Sequence, residues 1–245
     1  MSHPLGLPLP DWTPRPVPER IVLQGRSVRL EPLDLDRHED ALWAAAQAAN
    51  DIPGFWTYLS YGPFSDRESF HQHLAKNAAS SDPLYFAAVD QASGQAVGVA
   101  TLMRIDAASG VAEVGHIWFG PELRRSTAAT EAIFLFANYI FSELGYRRFE
   151  WKCNDLNAPS RRAAERFGFH YEGTFRNHLV MRGHSRDTAW YAIIDEDWPL
   201  VRDAFIAWLD PSNFDADGQQ IRRLEEVRRA LTTEPDDERF PTAAG

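Results

Sequence analysis

The chain has 245 residues, 44% hydrophobic and 12% aromatic, enough to bury a sizeable core in one large domain or a domain with appendages. A formal net charge of −10 argues against a nucleic-acid partner, which would need a basic stripe to neutralise phosphates. The single cysteine, Cys153, excludes an internal disulfide and a thiolate metal site, and no metal is expected.

No apolar run approaches the roughly 18 residues that span a membrane. The opening MSHPLGLPLPDWTPRPVPER has many prolines and no basic-then-apolar leader pattern. A cytoplasmic protein with no membrane partner is therefore expected. Any anionic ligand must be held by a local cluster and by backbone amides, against an unfavourable overall field.

Residues 1–20 read as an extended arm, because proline blocks helix and ladder pairing. SVRLEPL (27–33) alternates like a half-buried strand, and Asp36 to Asn50 is rich in strong helix formers. DIPGFWTYLSYGPF (51–64) is a loop with exposed-looking aromatics. The helix over 65–79 then opens on a capping-box pattern, Ser65 with Glu68. LYFAAVD, QAVGVATLMRID and VAEVGHIWFG predict three consecutive strands, joined by DQASGQ and AASG into an antiparallel meander.

From Ala129 the apolar positions Ala132, Ile133, Phe136, Ala137, Ile140, Phe141 and Leu144 mark an amphipathic helix that Gly145 stops. RFEWKC (148–153) is a strand. NAPSRRAAERFGF (157–169) is a shorter helix with Asn157 as cap and Gly168 as stop. HYEGTFRNHLVM and DTAWYAII follow as strands around a turn at RGHS, residues 182–185. The strand–helix–strand unit at 111–153 requires one parallel pair with a crossover, while the rest is antiparallel. EDWPLVRDAFIAWLD (196–210) predicts a packed helix, and the charged tail a surface helix with a frayed end.

The stretch GPELRRSTAATEA raises a chemical question. A helix start exposes unpaired N–H groups and the positive end of the helix dipole, which suits phosphate. Here it follows Arg124 and Arg125, with Ser126 and Thr127 supplying hydroxyls and Ala128 and Ala129 leaving room for a ligand. An ordinary capped helix with solvated arginines reads the same residues equally well.

This stretch, the long helix, the strand and then NAPSRRAAERFGF together resemble the GNAT superfamily of acyl-CoA-dependent N-acyltransferases, in its ribosomal-protein alanine and serine acetyltransferase-like branch. The family's phosphate loop, Gln/Arg-x-x-Gly-x-Gly/Ala, is matched by Arg124 and Ala129, with Thr127 in place of the central glycine. The second signature is matched at Asn157, Ser160, Glu165, Gly168 and Phe169, and GTFRNHLVMRGHSRDTAWYAI is also similar to the branch. The resemblance covers about residues 25–195.

It implies a mixed α/β (α+β) fold: a mostly antiparallel twisted sheet with one splayed parallel strand pair and helices on both faces. The arm would precede a catalytic domain at 21–195, with a C-terminal extension at 196–245. The resemblance also implies acetyl-CoA as co-substrate and an amine acceptor, either a protein N-terminus or a small molecule. The amides of Arg125 to Ala129 would take the diphosphate, and the pantetheine arm would pair near Ile117 and Phe119. Thr127 can serve only with a negative φ, so it is expected in the first helical turn.

The transfer needs a weak base for an amine, an oxyanion donor and a proton for the leaving thiolate. Glu113 is the first candidate base, and it reads equally as the partner of an arginine. His116 is the second, and it reads also as a packed aromatic. In a regular strand the two face opposite sides, so only one addresses the substrate unless the strand bulges. Ser160 is assigned proton donation or a coenzyme contact, and Asn157 a pantetheine contact or a helix cap. A backbone N–H near Trp118 would hold the oxyanion. Cys153 reads as a small buried residue rather than a nucleophile. Trp56, Tyr58 and Tyr61 either border the acceptor cleft or roof the core. Arg182, His184 and Arg186 form a basic hairpin tip, read chiefly as a solvated turn and otherwise as an attractor for an acidic acceptor. Two alternatives stay open, a non-catalytic acyl-CoA sensor and a longer acyl donor such as succinyl-CoA. The prolines and the C-terminal helix hint at a homodimer.

Overall fold

In the computed structural model, His3 and residues 5–232 are described, so the frayed end expected over 233–245 lies outside the described residues. Eight strands form one sheet: β1 (Leu23–Gln24), β2 (Val28–Pro32), β3 (Leu84–Asp90), β4 (Ala96–Asp106), β5 (Val111–Phe119), β6 (Arg148–Asn154), β7 (His170–Met181) and β8 (His184–Ile194). Their order is β1-β2-β3-β4-β5-β6-β8-β7, and every pair is antiparallel except β5·β6. The helices are α1 (Leu35–Asn50), α2 (Arg67–Ala78), α3 (Thr127–Asn138), α4 (Ala158–Phe167), α5 (Trp198–Leu209) and α6 (Leu224–Leu231). This is the expected mixed fold.

Alternation along buried strands builds two cores, one on each face. On β3, Leu84, Phe86 and Ala88 join a cluster with α3, α5 and α6, while Tyr85, Ala87 and Val89 join another with α1 and α2. The C-terminal helices belong to the first cluster: Phe205 lies 5.5 Å from Phe134 on α3 and 6.2 Å from Phe167 on α4. The N-terminal arm is tied down by Trp12, whose indole donates to Ala108 O at 2.9 Å, and by Arg15 N to Ala107 O at 2.8 Å.

Three local expectations need correction. The cap of α2 is Asp66, whose carboxylate accepts from Ser69 N at 2.8 Å; Ser65 sits one residue outside and donates to that carboxylate. The helix after Thr127 does not stay α-helical to Leu144, because Tyr139–Glu143 form a π turn. That wider turn still buries Ile140 and Phe141, and Phe141 stacks on Trp198 at 5.1 Å. The β7–β8 turn is two residues, Arg182 and Gly183, with φ of 51° and 76°. Such positive-φ pairs match the twist of a hairpin, so β8 begins three residues before Asp187.

One buried carboxylate pins the sheet edge to α3. Glu131 accepts from the amides of Arg26, Ser27 and Val28 at 2.8, 2.7 and 3.2 Å in the β1–β2 turn. A Cβ on Gly25 would lie 2.5 Å from Val28 O and 2.8 Å from the Glu131 carboxyl carbon, so the turn closes only around glycine. Glu131→Ala should strand those amides and cost about 2–4 kcal/mol in urea unfolding, since bonds to charged groups contribute about 1.5–3 kcal/mol each. An unchanged midpoint would show that the turn closes without Glu131.

Candidate active site

The parallel pair holds for four residues, from Val111 against Arg148 to Val114 against Trp151, and then stops. Beyond it β5 stays with β4 and β6 stays with β8, so the two strands part. The gap opens into a cleft of ≈ 1090 Å³. Between the rungs Thr101↔Gly115 and Val99↔Trp118, β5 carries two residues against one on β4. The extra residue is a bulge at His116, whose φ is 47°. The condition set by strand alternation is thus met, and Glu113 and His116 both line the cleft.

Ile117, Trp118, Phe119, Arg124, Arg125, Ser126, Thr127 and Ala129 line the same cleft. Ser126 is the N-cap of α3: its hydroxyl accepts from Ala129 N at 3.1 Å and donates to Leu123 O at 2.7 Å. The Ala129 amide is therefore already bonded, and the Ala128 methyl packs into the core. Thr127 is the first helical residue, as its side chain requires. The residue with positive φ is Arg125, at 59°. First-turn amides have no carbonyl one turn back, so those of Thr127 and Ala128 remain open. Arg124 is exposed and lies over the Phe55 ring at 5.4 Å.

Across the gap, Asn157 caps α4 by accepting from Ser160 N at 3.2 Å. Ser160 Oγ accepts from the Trp151 indole at 3.0 Å, which leaves its proton to donate. Cys153 is buried, and burial raises its thiol pKa, so it is suited to packing rather than attack.

Glu113 is buried, not a surface strand residue. Its Oε2 takes Arg104 at 2.7 Å and Lys152 at 2.9 Å, and no hydrogen bond occupies Oε1 among the described residues. His116 lies 5.8 Å from both Tyr61 and Tyr85. Burial first, then Arg104 and Arg186, lower its pKa, so its ring is neutral at neutral pH. Of the three loop aromatics, Tyr58 lines the cleft and donates to Leu156 O at 3.0 Å. Trp56 is a core residue, 5.7 Å from Trp118, with its indole on Asn50. Tyr61 is wedged between His73 and His116, and its hydroxyl donates to His116 O at 3.2 Å.

Sequence reasoning missed several cleft residues. Arg104, Lys152, Arg166 and Arg186 all line it, so six basic side chains meet one acid, Glu113, in an acidic chain. Trp208, Phe214 and Gly218 to Gln220 of the C-terminal segment also line it. Arg186 had been read as part of a solvated tip. Its place two residues before Thr188, one alternation along β8, was the available signal.

The open helix start, the basic residues beside it and a cleft of this size suit a large anionic ligand. Fold and cleft together define a class, the acetyltransferases built on a sheet with one split parallel pair. The chain belongs to the GNAT acetyltransferase family, whose domain model matches residues 27–170. A GCN5-related N-acetyltransferase from Brucella melitensis is 50% identical in its solved structure, with a TM-score of 0.87 over 90% of this chain and 100% of that one. A Chromobacterium violaceum structure assigned to the GNAT family is 38% identical, with a TM-score of 0.73 over 81% of this chain and 98% of the other. The Bacillus subtilis protein YdaF, provisionally named a ribosomal N-acetyltransferase, is 27% identical over 69% of this chain and 90% of its own length. No helix among the described residues is long and apolar enough to cross a membrane, and no metal-binding cluster of His, Cys, Asp or Glu occurs among them.

Desolvation, followed by His116 and Lys76, lowers the His73 pKa from 6.5 to about 4. The unfolded chain takes up this proton near pH 6.5 and the folded protein only near pH 4, so stability is lost as pH falls across that window. Urea unfolding at pH 7 and pH 5 should show a smaller loss in His73→Gln than in the wild type. An equal loss in both would remove His73 from the acid sensitivity.

Proposed function

We propose that the protein transfers an acetyl group from acetyl-CoA directly to a primary amine, a protein N-terminus or a small molecule, with both reactants bound together. One observation carries this reading: the unbonded amide of Thr127 at the start of α3 lies at the cleft where β5 and β6 part. A helix start favours phosphate, and a parted strand pair leaves backbone groups for a ligand amide.

Thr127 N–H, with Arg124 and Arg125, holds the diphosphate. The free edge of β5 at Ile117 and Phe119 pairs with the arm, and a β5 amide near Trp118 supports the oxyanion. Glu113 Oε1 takes the amine proton directly or through water, while Oε2 stays clamped by Arg104 and Lys152. Neutral His116, turned into the cleft by its bulge, is the nearest alternative carrier of that proton. Ser160 O–H, fixed by Trp151, donates toward the leaving thiolate.

Thiol release from acetyl-CoA across a panel of amines tests the function, and the absence of amine-dependent release for every member of the panel would reject it. Glu113→Gln should slow turnover about 100-fold, as loss of a general base does, with coenzyme binding unchanged. A full rate in Glu113→Gln and a slow one in His116→Gln would move the role to His116.

Thr127→Pro is a cleaner probe of the phosphate seat. Proline fits the first helical position, and Ser126 already has the extended conformation (φ −95°, ψ 166°) that a following proline prefers. The amide proton is lost together with the threonine hydroxyl, and Thr127→Val, which loses the hydroxyl alone, is the control. Calorimetry should show coenzyme A binding weakened about tenfold or more with an unchanged melting temperature. Equal affinity would place the diphosphate elsewhere.

A further inference from the structure

A chain of alternating charges runs from the cleft at Glu113 along the sheet. Arg104 pairs with Glu113, Glu113 with Lys152, and Lys152 with Glu150 at 2.6 Å. Glu150 pairs in turn with Arg148, and Arg148 with Glu172. Three cations meet three anions, and nothing is left over. Lys152 is also seated on the Trp190 ring, its ammonium 3.7 Å from the centroid.

Arg186 stands outside this balance. It lines the cleft from β8, one alternation beyond the buried Thr188. Its Nε is buried without a hydrogen-bond partner, and its Nη1 reaches only the Met181 sulfur at 3.8 Å. No carboxylate pairs with it among the described residues, and burial lowers its pKa. An unpaired guanidinium in a partly dry wall costs stability, and a neutral glutamine would cover the same surface more cheaply. Its planar fork matches a carboxylate. The same hairpin ties down the 51–64 loop: Arg182 donates to Tyr61 O at 2.9 Å and Gly62 O at 2.7 Å.

We propose that Arg186 is the receptor for a carboxylate that one reactant carries into the acceptor end of the cleft. This rests on the acyl-transfer reading above. The carboxylate could arrive on the amine acceptor, as an α-carboxylate or an acidic side chain beside the amine. It could equally arrive on the acyl group of a dicarboxylic donor.

Two arms of one experiment separate these sources. In the first, amino acids and short peptides are each compared with the matching carboxamide, using acetyl-CoA. In the second, succinyl-CoA is compared with butyryl-CoA on one neutral amine. The wild type should favour the carboxylate in one arm by about 10- to 100-fold in kcat/KM, the worth of a charged hydrogen bond pair. Arg186→Gln should erase that preference, bringing the ratio between the carboxylate and its neutral match close to one. Arg186→Lys, which keeps the charge without the fork, should retain part of it, and serves if the glutamine variant fails to fold.

Absence of a preference in both wild-type arms, or its survival in Arg186→Gln, overturns the inference. If no amine is acylated at all, the transfer reading fails while Arg186 is still judged. Calorimetric titration of coenzyme A-loaded protein with the acid–amide pairs, and of free protein with the two acyl-CoAs, should show the same 186-dependent ratio. Equal affinities there overturn it.

Discussion

The site depends on the shortness of one strand pairing. β5 and β6 are parallel neighbours for four residues only, after which each follows a different antiparallel partner. A parallel pair needs a crossover, and α3 supplies it, so the helix start is delivered beside the same gap. Two consequences of one topology, unpaired strand edges and an open helix terminus, therefore meet in one cleft. Everything chemical in the molecule is arranged around that meeting. The bulge at His116 adds to it by turning a second titratable group toward the cleft without moving Glu113.

Electrostatics concentrates there as well. The chain is strongly acidic, yet its cleft gathers six basic side chains. Those near Thr127 suit an anionic coenzyme. At the other end the basic and acidic residues neutralise one another along the sheet, except for Arg186. Local placement, not net charge, sets the field a ligand meets, and the surrounding low-dielectric walls strengthen it.

Much of this was legible in the residues themselves. The period of α3, the meander and the parallel unit follow from apolar spacing, and Thr127 in the first turn follows from the steric cost of a β-branched residue at positive φ. Asn157 as cap and Gly168 as stop are local chemistry, with Gly168 at φ 95°. What could not be read was whatever depends on contacts between distant segments. Glu113 gains its clamp from Lys152, 39 positions on by the numbering and placed beside it only by the parallel register. Trp56 and Tyr58 sit two residues apart in one loop, yet one is core and the other lines the cleft. Arg186 looked like a hairpin tip until the turn proved to be two residues long, which moves it up the strand. The capping role passed from Ser65 to Asp66, whose carboxylate accepts the Ser69 amide and so starts the helix one residue later.

The central claim is that the start of α3 and the β5–β6 gap form one seat for acyl-coenzyme A. A crystal structure of the protein grown with coenzyme A tests it most directly. The diphosphate is predicted against Thr127 N–H, with the pantetheine arm lying between the parted strands and its sulfur near Ser160 and Glu113. Coenzyme bound on another face, or a gap that stays closed while the nucleotide binds elsewhere, would contradict the account.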